Sequence, residues 1–399
     1  MRYIFNAIFP FGKCKKAKIM QCKQFKKCGA CRFQSDEYEK QLAYKQNGLN
    51  NLLSEFSKVE RIIPMENPFN YRNKVQCAFY FDYRKQKCSS GVYQSTSKRI
   101  IPIDYCMLDD KGADDIIISI RKLADDFKLR PYDIKNKSGF LRHVLIRKGF
   151  KTGETMVVIV TASPVFPSRN NFVKALLKRH SEITTIIHNV NPTDTNLILG
   201  EQSHILYGKG YIEDILCSCT FRISPASFYQ VNPVQTEKLY NMAIEFAEIQ
   251  KDDAVFDAYC GTGTIGIIAA KKAGQVLGVE LNEKAVNDAV SNAKKNDIKN
   301  IYFIEADATK LIDDLAKEKE HFDVVFMDPP RAGASREFLL SLLKLKPKKI
   351  IYISCNPKTL ARDLKILTKK DYTAEKIQGV DMFPFTEHIE TVVSLKRKD

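Results

Sequence analysis

The sequence predicts an α/β protein with a C-terminal Rossmann-like domain, an α+β middle domain and an N-terminal cysteine-rich segment. Three observations predict this. From about residue 222 short apolar runs alternate with stretches of helical periodicity, the signature of a parallel, doubly wound sheet. Between about 65 and 220 strand-like runs dominate, interrupted by turn signals and a few helical stretches. Before them, Cys22, Cys28 and Cys31 crowd into a short basic stretch.

At 399 residues the chain is too long for one ordinary core. The expected boundaries are a cysteine-rich segment over 12–35, a helical segment over 36–64 packing on the catalytic domain, the middle domain over 65–220 and the Rossmann-like domain over 221–399. EYEKQLAYKQNGLNNLLSEF has helical spacing, whereas VQCAFYFDYR, HVLIRKGF, ETMVVIVTAS and TTIIHNV read as strands and ADDIIISIRKLADDF as a helix. A helix around VQTEKLYNMAIEFAEI then leads into the strand AVFDAY, a glycine loop, the helix TIGIIAAKKA and the strand QVLGVEL. The helix EKAVNDAVSNAKKN follows, then the strands IYFIEAD, FDVVFMD and KIIYISC.

Lys and Arg outnumber Asp and Glu by 63 to 47, a formal charge of +16 that attracts polyanions such as nucleic acid. There is no apolar run long enough to span a bilayer and no signal-peptide pattern, so a cytoplasmic protein is expected. Eleven cysteines in such a chain point to metal ligation or catalysis rather than disulfides.

Gly261 and Gly263 in Asp257-Ala-Tyr-Cys-Gly-Thr-Gly-Thr264 let the backbone turn sharply and approach a ligand. Glu280, at the end of the next strand, stands where a carboxylate accepts from ribose hydroxyls, and Asp307, after the third strand, can meet an adenine edge. Gly261, Gly263 and Gly266 also satisfy the dinucleotide pattern, so this loop alone leaves NAD open. Asp328-Pro-Pro-Arg-Ala-Gly333 follows a strand, and Cys355 ends the next one before Asn356-Pro357. Both therefore belong to the ligand side of the sheet. Asp328 could otherwise cap a helix, and Cys355 could be an ordinary buried small hydrophobe.

FDAYCGTGTIG, MDPPRAG, YISCNPKTLARDL and DMFPFTEHIETVVSL, in this order, resemble the RNA uracil-C5 methyltransferase family, in particular its RumA-type branch acting on 23S ribosomal RNA. YRNKV, GFLRHVLIR, HNVNPTDTN and ISPASFYQVN extend the resemblance over roughly residues 14–395. It implies an S-adenosylmethionine-dependent methyltransferase domain in which Cys355 is the nucleophile and Glu390 the base; the neighbouring His388 is the alternative base by its reference pKa alone. It further implies that Gln230, Tyr259, Thr264, Glu280, Asp307 and Asp328 bind cofactor, that Asp328 also holds the uracil and that Arg142 touches RNA. Carbon 5 of uracil is a poor nucleophile; a thiolate adding at carbon 6 makes it an enolate carbon, which is the purpose of covalent catalysis here. A nearby positive charge or dipole is expected to lower the Cys355 pKa.

Cys22, Cys28 and Cys31, with Cys106 as a distant fourth, suit zinc by spacing alone; the resemblance implies a [4Fe-4S] cluster instead. Cys14 does not match that pattern, and the small RNA-binding barrel often found ahead of the cysteines in ribosomal-type relatives is expected to be missing. The expected partner is RNA, 23S ribosomal RNA first and transfer RNA as the alternative. An NAD-dependent oxidoreductase has no use for Cys355 with Glu390. A non-catalytic RNA-binding protein tolerates loss of Cys355.

Overall fold

The computed structural model describes residues 22–35, 37–97, 99–193 and 197–398. Cys14 and the last three residues of HNVNPTDTN lie outside them. The N-terminal part contains α1 (Phe25–Cys28), α2 (Tyr38–Leu53) and β1 (Val59–Ile63). The middle part contains β2 (Lys74–Asp82), β3 (Lys87–Tyr93), β4 (Ile100–Pro102), α3 (Lys111–Asp126), β5 (Leu141–Lys148), β6 (Thr155–Thr161), α4 (Arg169–Arg179), β7 (Ile183–Val190) and β8 (Gln202–Tyr207). A hairpin, β9 (Ile212–Leu216) and β10 (Cys219–Ile223), leads to α5 (Pro233–Ala247), β11 (Ala254–Ala258), α6 (Thr264–Ala270), β12 (Gln275–Glu280), α7 (Glu283–Lys295) and β13 (Ile301–Glu305). The chain ends with α8 (Ala308–Glu318), β14 (Val324–Met327), α9 (Arg336–Leu345), β15 (Lys349–Ser354), α10 (Pro357–Leu367), β16 (Tyr372–Val380) and β17 (Glu390–Arg397).

The middle strands form a seven-stranded sheet in the order β4-β3-β2-β5-β6-β7-β8. One of its faces packs on α3 and α4 through Ile116, Ile120, Phe172 and Leu176. The C-terminal sheet has eight strands in the order β1-β16-β17-β15-β14-β11-β12-β13. Its central strands are continuous apolar runs because both faces are covered. Val255, Phe326 and Ile351 enter one core, while Phe256, Met327 and Tyr352 enter the other.

Two features go beyond the expected parallel sheet and the helical segment packing on it. β17 runs antiparallel to both β15 and β16, so the sheet is mixed. β1 pairs in parallel with β16, so the segment before the middle domain supplies the edge strand of the C-terminal sheet. Strand order reverses between β11 and β14, which pair in parallel while the chain visits β12 and β13 in between. Ligands of such sheets bind beyond the carboxyl ends at that reversal. Among the described residues no helix is long and apolar enough to cross a membrane.

Candidate active site

A cavity of about 690 Å³ opens at this reversal, and Gln230, Tyr259, Thr264, Glu280, Asp307, Asp328, Cys355 and Glu390 all line it. Its walls are the segments that follow β11, β12, β13, β14 and β15, closed by the start of β17 and by the stretch before α5.

On one side Glu280 ends β12 and accepts from Gly261 N at 3.1 Å and Asn282 N at 2.9 Å. Gly261 has φ 56, and open space faces the position of a Cβ, so its backbone can meet a ligand directly. Beneath the loop the buried Asp257 accepts from Gly266 N at 2.8 Å, which ties the strand end to the first turn of α6. Burial pushes the Asp257 carboxyl up to about 7. Asp307 caps α8, its Oδ1 accepting from Thr309 N at 2.7 Å. Tyr259, at φ 64, sets its ring 5.3 Å from that of Phe338. Phe228 and Leu281, each 69% exposed, offer apolar surface at this end.

At the other side the carboxyl groups of Asp328 and Glu390 interact. Glu390 is 4% exposed, and burial followed by the Asp328 charge raises its pKa well above the ordinary carboxylate value. Burial brings Asp328 to about 7. Asp328 is not a helix cap, since Ser335 caps α9. Cys355 stands between the end of β15 and the Asn356 cap of α10. The expectation of a lowered thiol pKa is not met: burial, Glu390 and Asp328 push it up to about 11, and Arg331 opposes them. Burial, the largest cause, and two negative neighbours together outweigh one cation that is itself exposed to water. The Asn356 side chain donates to the Arg331 carbonyl at 3.0 Å, so the Asp-Pro-Pro-Arg loop and the cysteine loop are joined.

His388 lies opposite, its ring Nδ1 2.7 Å from Arg331 Nη2. Burial and that guanidinium lower the imidazole pKa, so a neutral ring accepting from Arg331 is the favoured form. Motif reading also passed over Tyr240, whose buried hydroxyl bonds the side chains of Thr264 and Gln230 beside both carboxylates. Tyr240 sits inside an apolar helix and leaves no signal in the sequence.

The remaining candidates lie elsewhere. Arg142 is 6% exposed; its Nη1 donates to the carbonyls of Asn191 at 2.7 Å and Thr193 at 2.6 Å, and its guanidinium stacks over Tyr132. It organises an internal loop of the middle domain through Nη1. Cys22, Cys28, Cys31 and Cys106 line a second cavity of about 910 Å³ with Arg72 and Lys74. Burial pushes the Cys31 thiol up to about 11, with Cys22 and Cys28 adding to the effect. Yet among the described residues no group of three or more His, Cys, Asp or Glu side chains is arranged to hold a metal ion.

Comparisons with known proteins agree with this geometry. The tRNA (uracil-5-)-methyltransferase family matches residues 193–398. An uncharacterised RNA methyltransferase of Clostridium tetani is 40% identical over 376 residues, covering 93% of this chain and 81% of that protein. One from Listeria monocytogenes is 40% identical over 378 residues, covering 94% and 83%. The crystal structure of Pyrococcus abyssi tRNA (uracil-54, C5)-methyltransferase in complex with S-adenosyl-L-homocysteine superposes with a TM-score of 0.76 at 31% identity, covering 90% of this chain and 83% of that one. The chain therefore belongs to the tRNA (uracil-5-)-methyltransferase family and is an RNA uracil-5 methyltransferase.

Proposed function

We propose that the protein methylates carbon 5 of a uridine in RNA from S-adenosylmethionine, with Cys355 as covalent nucleophile and Glu390 as base. The observation that carries this reading is the convergence of Cys355, Asp328 and Glu390 at one end of a cavity whose other end is the Glu280–Gly261 loop. The Pyrococcus relative was crystallised with S-adenosyl-L-homocysteine, and the exposed backbone of Gly261, the anchored Glu280 and the Tyr259 ring suit such a nucleoside. When bound, the cofactor supplies an electrophilic methyl group on a positively charged sulfur.

The residues act in a fixed order. Asp328 and Tyr240 orient the uracil ring. Positive charge supplied by a bound cofactor would offset that of Asp328 and Glu390 and would favour ionisation of the Cys355 thiol. The thiolate adds to carbon 6, and carbon 5 of the resulting enolate would take the methyl group as its bond to the cofactor sulfur breaks and leaves that sulfur as a neutral thioether. Glu390, whose pKa burial and the Asp328 charge raise well above the ordinary carboxylate value, is a stronger base than an ordinary carboxylate and removes the carbon-5 proton. The carbon 6–sulfur bond then breaks and restores the aromatic ring and the thiolate. His388 is engaged with Arg331 and is less suited to the base role.

The preferred RNA is 23S ribosomal RNA, the substrate of the branch that the motifs resemble. Transfer RNA is the second reading, favoured by the Pyrococcus relative. Mapping 5-methyluridine in RNA from cells with and without the protein separates them; loss in neither RNA sinks both. The +16 charge suits RNA, and action in the cytoplasm is part of the proposal. A [4Fe-4S] cluster on Cys22, Cys28, Cys31 and Cys106, with zinc as runner-up, rests on the resemblance and on their shared cavity, and no catalytic step passes through it.

A further inference from the structure

The loop between β16 and β17, residues 381–389, joins the two cavities, because Phe383 and His388 line both. It runs directly into Glu390. One face of α2 holds it. The buried Asp381 carboxylate accepts from Lys45 Nζ at 2.6 Å, from the Tyr38 hydroxyl at 2.9 Å and from Gln41 Nε2 at 3.4 Å. Lys45 also donates to the Phe383 carbonyl at 3.1 Å, and Gln41 Oε1 accepts from Phe385 N at 2.6 Å. The side chains of Lys45 and Asp381 are 1% and 0% exposed.

Phe385 adds a second observation. It is fully buried at φ 65, a region in which a bulky residue is an outlier. Such a conformation persists only when its surroundings over-determine it. Both of its backbone groups are tied: Gln41 takes the N–H, and the carbonyl accepts from Arg32 N at 2.9 Å and Phe33 N at 3.1 Å, just beyond Cys31. A buried ion pair is a poor way to gain stability, since apolar side chains of similar size serve as well or better. Leu49 and Leu53, on the same stripe of α2, already pack it into the sheet core. Charge at Lys45 therefore serves something other than packing.

We propose that Lys45, assisted by Gln41 and Tyr38, is a positioning residue for the methyl transfer reaction. It locks loop 381–389 in the strained form that leads into Glu390 beside Cys355. The proposal rests on the mechanism above, in which Glu390 acts only after the methyl group has moved. A slackened loop should therefore slow proton removal and leave the earlier steps intact.

The test compares Lys45→Met, Lys45→Arg and Tyr38→Phe with wild type. The readouts are S-adenosylmethionine affinity by calorimetry, thermal melting, and single-turnover rates of adduct formation and product release on RNA. Lys45→Met is expected to bind cofactor normally and form the Cys355 adduct. It should release product roughly ten- to a hundredfold more slowly, the size of effect a small misplacement of a catalytic group produces. Methylated adduct then accumulates. Lys45→Arg should recover much of the release rate, and Tyr38→Phe should slow it in the same direction but less. A folded Lys45→Met that releases product at the wild-type rate overturns the proposal, as does a loss shared equally by cofactor binding and adduct formation. If Lys45→Met does not fold, Tyr38→Phe and Gln41→Leu replace it, and normal release in both overturns the proposal. A wild-type protein that forms no Cys355 adduct strikes the underlying mechanism, and this proposal with it.

Discussion

The two cavities of this protein are built by different means, although they share Phe383 and His388. The catalytic cavity draws its groups from the carboxyl ends of successive strands: Tyr259, Glu280, Asp328 and Cys355 each follow a strand within a residue or close it. Sheet register places all of them on one side with little freedom. The cysteine cavity draws Cys22, Cys28 and Cys31 from a short segment around a four-residue helix and Cys106 from a loop. Those side chains share a wall without converging into a metal site. Strand ends carry preorganised chemistry, whereas ligands on short loops are ordinarily gathered by the metal they bind.

The comparison can be broken most severely at Cys355. Cys355→Ala should abolish product and adduct together, as expected for the nucleophile of a covalent mechanism. Residual turnover with a denaturation-resistant RNA adduct would show that another group attacks carbon 6. Next in size is Glu390→Gln. Turnover should fall roughly a hundred- to ten-thousandfold, the range for loss of a general base, while methylated adduct builds up. If His388→Ala reproduces that build-up and Glu390→Gln turns over normally, the base has been misassigned.

The raised thiol gives a pH test. The thiolate is the reactive form, so a pKa pushed up from 9.0 to about 11 keeps Cys355 mostly protonated at pH 8. Its alkylation there should be about a hundredfold slower than that of a free cysteine and should climb with pH beyond 9. Added S-adenosylmethionine should bring the midpoint down, because positive charge near Asp328 and Glu390 removes their repulsion. A midpoint that is ordinary without cofactor, or unmoved by it, contradicts the electrostatics described above. Glu280→Ala should weaken cofactor binding by roughly ten- to a hundredfold, the cost of losing a charged hydrogen-bond partner. Unchanged affinity would detach Glu280 from the cofactor.

The smallest effect on the chemistry is expected at the second cavity. Cys106→Ala should remove iron from anaerobically purified protein, measured as metal per chain and as lost absorption near ~400 nm. Adduct formation should fall less than about tenfold, since no step passes through those thiols. Colourless wild-type protein with one zinc per chain would replace the cluster by zinc.

Much of the site was legible because its residue types sit in chain order at strand ends, where an alternating strand–helix pattern already implies a ligand face. Asp328 after FDVVFM and Cys355 after KIIYIS are examples, and the cavity contains both. The internal hydrogen bonds of Arg142 were not legible, for the opposite reason. A cation in a strand motif looks free until the strand is folded, and here a neighbouring loop takes its donors. The antiparallel β17 was hidden because HIETVVSL carries no mark of strand direction, which is decided by what the preceding loop can reach.

Local periodicity and residue chemistry sufficed for the α/β class, the glycine loop and the placement of Cys355 and the acidic residues at strand ends. Lys45 left a faint mark as a charge on the buried stripe Gln41, Lys45, Leu49 and Leu53 of α2. Its partner Asp381 is separated from it by most of the chain, so only the tertiary structure could pair them. The same holds for the burial and the Asp328 charge that raise Glu390, and for the burial and the carboxylates that raise Cys355. These are effects of distance and burial between remote segments, and neither quantity exists until the sheet has brought the strand ends together.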